Sequence, residues 1–106
     1  MAGFIHIKGD SGLSVGSITF NAIAEFTRSY FDENDRSYIK EIYSPLDEGG
    51  MDMVSLNDQG VEGFNAYYRG IKKAYDECIQ KRKCGEVGEK YFDMVMDSWK
   101  ELIQLL

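Results

Sequence analysis

Val61, Phe64, Tyr68, Ile71, Tyr75, Cys78 and Ile79 recur at three- and four-residue steps. A chain with that stripe is committed to a long amphipathic helix, and the spacing predicts one over 58–83. Asn57 stands where an N-cap belongs, and Asp58 and Glu62 suit the first turns. Lys81-Arg82-Lys83 suits the negative end of the helix dipole, and Gly85 fits the C′ position. Gly60, Gly63 and Gly70 each weaken such a helix by up to about 1 kcal/mol relative to Ala, so packing must compensate or another element must approach closely there.

Two further stripes follow the same period. Phe92, Val95, Trp99, Leu102 and Leu106, widened by Met96 and Ile103, predict a helix over 86–106. On its far side Glu89, Asp93, Asp97 and Glu101 form a solvated acidic ridge whose like charges repel mildly. Ile18, Ala22, Ile23, Phe26 and Tyr30 predict a helix over 17–33 with Ser17 as N-cap. Phe20 and Phe31 fall beside that stripe, which leaves one edge with exposed aromatics. The helix should fade at Asp32-Glu33-Asn34-Asp35, where acids oppose the dipole.

Phe4-Ile5-His6-Ile7 predicts a short strand, and Gly9-Asp10-Ser11-Gly12 a turn. Residues 37–43 (Ser-Tyr-Ile-Lys-Glu-Ile-Tyr) and 51–56 (Met-Asp-Met-Val-Ser-Leu) are rich in strand formers. The loop Ser44-Pro45-Leu46-Asp47-Glu48-Gly49-Gly50 separates them, which predicts an antiparallel hairpin with an acidic tip. The expected fold class is α+β: a three-helix core with a small antiparallel β-hairpin between helices 1 and 2, as one domain over residues 1–106. The expected core includes Phe26, Phe64, Tyr68, Ile71, Tyr75, Val95, Trp99 and Leu102. A composition of 43% hydrophobic and 13% aromatic residues is too apolar for a disordered acidic chain.

The residues carry no sign of catalysis. His6 is the only histidine and sits in an apolar strand, so it reads as structural. Cys78 and Cys84 lie six apart, without redox or zinc spacing, and read as reduced thiols. The glycine clusters lack the P-loop and dinucleotide-binding patterns. Asp47, Glu48 and Asp52 around Gly49-Gly50 do not fit a calcium loop. No catalytic residue, metal or cofactor is expected, and the chain reads as a non-enzyme. The N-terminus lacks the basic and apolar regions of a secretory signal, and no apolar run approaches the roughly 20 residues of a membrane span. The expected location is the cytoplasm. Arg69, Lys72, Lys73, Lys81, Arg82 and Lys83 stand against Asp76 and Glu77; Lys72, Lys73, Asp76 and Glu77 alternate at three- and four-residue steps and read as a salt-bridged face.

Charge is where the chain points outward. Nine carboxylates lie between Asp32 and Glu62, against only Arg36 and Lys40, so this segment carries −7 of a net −6. Such asymmetry attracts cationic surfaces and repels nucleic acid and anionic membranes. Two readings are open: the acids serve solubility alone, or they steer a basic partner and pair with its Lys and Arg. Tyr30, Phe31, Tyr38, Tyr43 and Leu46 interleave with them, as apolar anchors do at protein interfaces.

Met53-Val54-Ser55-Leu56-Asn57-Asp58, followed by Val61, Phe64-Asn65, Tyr67-Tyr68 and Ile71-Lys72-Lys73-Ala74-Tyr75, resembles a group of bacterial immunity proteins of contact-dependent growth inhibition systems. The resemblance covers residues 51–80. It implies a small binding protein, monomeric within a heterodimer, that holds a cognate toxin domain, often a nuclease, and blocks its active site. A nuclease cleft is cationic because it holds phosphates, so an acidic inhibitor complements it. The expected partner-binding residues are Asp32, Glu33, Asp35, Asp47, Glu48, Asp52 and Glu62, with Tyr43 and Leu46 as apolar anchors. The alternatives are an acidic regulatory or adaptor module that binds another basic protein, and a small enzyme without a recognisable motif.

Overall fold

The N-terminal apolar segment is the middle strand of a three-stranded sheet in the computed structural model, which describes residues 2–9, 11–83 and 87–106. Strands β1 (Ala2–Lys8) and β2 (Ser11–Gly16) form an antiparallel hairpin, with Ile5 opposite Leu13 and Gly3 opposite Val15. Strand β3 (Met53–Ser55) lies on the other side of β1 and runs parallel to it, with Ile5 opposite Val54. Residues 4–7 are therefore a strand, as their composition indicates. Strand β2 went unread because it offers only two apolar positions, Leu13 and Val15, among serines and glycines of low strand propensity. Asp10 of the turn cluster, Cys84 and Gly85 lie outside the described residues.

The hairpin expected over 37–56 does not form. Residues Arg36–Ile42 are helix α2, and Ser44–Asp47 add a one-turn helix α3 with Pro45 in its first turn. Only residues 53–55 are a strand, and their partner is β1. The reason is burial. Ile42 and Tyr43 are both below 2% exposed, whereas a strand would point successive side chains to opposite faces. Ile39, Ile42, Tyr43 and Leu46 step by three, one and three, so a helical path turns all four toward the core. Strand propensity measures fit to a pleated surface, and packing overrides it.

Three longer helices complete the fold: α1 (Ser17–Thr27) and α5 (Glu89–Leu105) pack on the sheet, and α4 (Val61–Lys81) packs against both of them. Ile5, Leu13, Val15 and Val54 from the sheet meet Phe20, Ile23, Tyr67, Ile71, Trp99 and Leu102 from the helices. The core is thus shared between sheet and helices, not built from three helices alone. In α1, Phe20 is fully buried and Ile18 is 47% exposed, the reverse of the expected stripe. Gly16, not Ser17, occupies the N-cap, and α1 stops at Thr27 before two 3-10 turns, Arg28–Tyr30 and Glu33–Asp35. Helix α5 buries Val95, Trp99 and Leu102 as expected, and leaves Glu89, Asp93, Asp97 and Glu101 exposed.

Helix α4 is amphipathic as read, but its buried face is turned toward its small residues. Gly63, Ala66, Tyr67, Gly70, Ile71, Ala74 and Cys78 face the core. Phe64 and Tyr75 pack at its margin, Tyr68 is half-buried outside the cluster, and Val61 is 77% exposed. Small residues at the contact line let neighbouring elements come close. A Cβ at Gly70 would run into the ring of Phe31, which stacks on Tyr67 and meets Tyr43 edge-on. Gly70→Ala gains up to about 1 kcal/mol of helix propensity and loses about 1–3 kcal/mol to overpacking. Because the ring is held from two sides, a net loss of stability is expected in a urea titration, and a net gain would show that Phe31 moves aside freely.

The ends of α4 also differ from expectation. Gly60 is its N-cap, because the Asn57 side chain is used elsewhere: its Oδ1 accepts the Gly9 N–H at 3.2 Å and ties the β1 turn to the segment after β3. At the other end Arg82 adopts a left-handed conformation, φ 50°, and the Lys83 N–H bonds the Cys78 carbonyl at 3.2 Å. This six-to-one bond closes the helix three residues before Gly85.

Candidate partner-binding surface

Helices α2 and α3 and the turns around them carry most of the acidic segment, and Arg28 at the end of α1 organises one side of it. Its guanidinium bonds Asp47 at 2.6 Å and Glu25 at 2.7 Å, and lies 4.3 Å above the ring of Tyr43. The hydrogen bond from Arg28 holds the Asp47 carboxyl below the usual carboxylate range. A depressed carboxylate pKa adds stability above the unfolded value, near 4, and that stability is lost as pH falls through the folded value. The Asp47 side chain is 46% exposed, so the contribution is small.

Asp32, Glu33 and Asp47 come together around an open groove of about 460 Å³. Arg28, Arg36 and Lys40 line the same groove above a floor of Phe31, Ile39 and Tyr43, so the three acids are balanced by three cations. Glu33 spends part of its charge on an exposed pair with Arg36 at 3.4 Å, which contributes little. Glu48 accepts a hydrogen bond from Ser44 at 2.9 Å, and Glu62 accepts one from Tyr38 at 2.6 Å. Asp32, Asp52 and Asp58 make no side-chain bond among the described residues.

Two expected contact residues are occupied inside the fold. Asp35 is only 9% exposed, and its carboxylate accepts a charge-assisted bond from Arg69 at 2.8 Å, pinning the second 3-10 turn to α4. Tyr43 is 1% exposed, and its hydroxyl donates to the Ala24 carbonyl at 2.7 Å. Burial raises its pKa well above the ordinary tyrosine value, so the phenol stays neutral. Tyr43 is therefore a core residue. Leu46 is half-buried against the same core.

A second groove, about 530 Å³, carries acids that were not singled out. Glu41 and Asp58 line it with Ser44, Pro45, Met53, Ser55 and Gln59, and no cation joins them. Gln59 donates to Glu41 across it at 2.9 Å. Both acids belong to the same charged run in the sequence, but reading residues 37–43 as a strand separated Glu41 from the turn at Asp58. The helical path of α2 brings them to one wall.

Elsewhere the polar residues serve the fold. His6 sits in hydrogen-bond reach of the Ser55 hydroxyl at 3.2 Å and the Gly9 carbonyl at 2.5 Å, and Cys78 is fully buried. The basic stretch of α4 pairs within itself, Lys72 with Asp76 and Lys81 with Glu77. Among the described residues, no three His, Cys, Asp or Glu side chains are grouped to hold a metal ion, and no helix is long and apolar enough to cross a membrane.

No family model matches the chain. It is 23% identical over 106 residues to the immunity protein CdiI of Burkholderia pseudomallei, a match that spans 100% of this chain and 90% of that protein. Among solved structures, it shares a fold with a chain from the complex of the CdiA-CT toxin of Burkholderia pseudomallei E479 with its cognate CdiI immunity protein. The TM-score is 0.83 at 21% identity, over 97% of this chain and 91% of that one. The likeness first visible in residues 51–80 thus runs the length of the chain, and what the chain resembles is an immunity protein of contact-dependent growth inhibition.

Proposed function

We propose that this chain is an immunity protein that binds a cognate nuclease toxin domain, masks its cationic active site, and acts by binding without turnover in the cytoplasm. The observation that carries the reading is the full-length likeness to CdiI. The acidic segment supports the choice of partner, since a surface of one sign raises association rates with a surface of the other. The contact residues are Asp32, Glu33, Asp47, Glu48, Asp52 and Glu62, with Leu46 at their margin. Asp35 and Tyr43 support this face from within.

Co-expression tests the reading. Cells that make the cognate toxin domain should grow when the chain is supplied, and the chain should not protect against an unrelated toxin. Absence of both protection and a purified complex would remove it. The role of the acids is checked by surface plasmon resonance against the same toxin domain. Asp47→Asn/Glu48→Gln/Asp52→Asn should associate more slowly, with a weaker dependence on salt. An unchanged on-rate and salt slope would leave those three acids to solubility alone.

A further inference from the structure

Val61 opens helix α4 with 77% of its surface exposed, and it does not stand alone. Beside it lies a groove of about 370 Å³ whose apolar lining is Ile7, Leu56, Val61 and Phe64, with Lys8, Asn57 and Gln59 as its polar lining. An isolated apolar residue on a surface is ordinary. A concave apolar site with an exposed β-branched residue on its lip is the form in which an anchor side chain is received. The groove adjoins the acidic one: Gln59 lines both, so the turn at 57–60 separates an apolar hollow from the wall bearing Glu41 and Asp58.

We propose that these two grooves form one bipartite docking surface for the toxin. An apolar side chain of the toxin enters the hollow beside Val61, and a neighbouring Lys or Arg reaches Glu41 and Asp58. The inference rests on the immunity reading and adds a second contact to the acids named there. Charge selects the occupant. The acidic wall has no cation of its own, unlike the balanced groove at Asp32 and Asp47, so it favours a basic segment. A second copy of this chain, with a net charge of −6, would be repelled from it. The fold also leaves this surface free to evolve with a partner, because Val61 is not needed by the core and Gly60 has open space around it.

The test is surface plasmon resonance with the toxin domain that the co-expression assay pairs with this chain, with thermal melting of each variant as the control for folding. Val61→Asp should fold as the wild type does, since an acid suits the first turn of a helix. It should bind the toxin about tenfold or more weakly, chiefly through faster dissociation. The added negative charge favours a cationic partner, so that loss would report the apolar contact and not repulsion. Glu41→Gln/Asp58→Asn should slow association and flatten its salt dependence. Wild-type affinity in Val61→Asp overturns the proposal while leaving the immunity reading intact. A wild-type chain that does not bind the toxin removes the immunity reading and this one with it. A homodimer of the free protein that Val61→Asp dissolves would assign the hollow to a second copy and also overturn it.

Discussion

Trp99→Ala is expected to cost about 3–5 kcal/mol of unfolding free energy, a large part of the 5–15 kcal/mol that holds a typical domain. Trp99 is fully buried between α4 and α1. Its ring meets Phe26 edge-on and lies 6.2 Å from that of Tyr75, and its indole N–H donates to the Ile71 carbonyl at 3.2 Å. Truncation removes the apolar transfer energy, opens a cavity that three elements line, and strips the hydrogen bond. The loss should appear in urea as a lower midpoint at an unchanged slope. A loss below about 1 kcal/mol would mean that the site collapses around the gap and that the α5 stripe does not anchor the core.

Tyr43→Ala should cost a similar amount, about 3–5 kcal/mol as for other buried aromatics. The outcome also decides what Tyr43 is for. As a surface anchor it would leave stability unchanged and reduce toxin affinity. As the residue that joins α2 to α1 it should lower stability while the folded fraction keeps its contacts. The structure favours the second, with the ring under Arg28, edge-on to Phe31, and its hydroxyl on the Ala24 carbonyl. Tyr43→Phe separates the hydrogen bond from the packing and should cost about 1 kcal/mol. Urea titration and plasmon resonance on the same variants distinguish the two roles. An exposed-anchor result would show that α2 lifts away from α1.

The helices at 61–81 and 89–105 were legible because each runs for several turns, and a 3.6-residue period accumulates over such a length. Residues 36–47 were not, because Ile39, Ile42 and Tyr43 satisfy strand composition and helical spacing equally well over so short a span. The candidate site was legible as a stretch of charge but not as a surface. Asp35 and Tyr43 lie within that stretch and turn inward, while Glu41 and Asp58, 17 positions apart, turn out to share a wall. Spacing puts Val61 on the buried stripe, yet it is the most exposed large apolar residue among the described residues.

What the sequence by itself determined is the acidic balance, the α+β class, a strand at Ile5 and Ile7, and the burial of Ile71, Val95, Trp99 and Leu102. All of these follow from composition and from periods local to one element. The tertiary structure alone decided that β3 pairs with β1 in parallel, that α2 replaces a strand, and that Phe20 rather than Ile18 turns into the core. It also decided which carboxylates meet at one groove. Each of these depends on contacts between residues distant in the chain, where the energy of burying a shared face exceeds the few tenths of a kcal/mol by which local propensities differ, about 0.7 kcal/mol at most for ordinary residues.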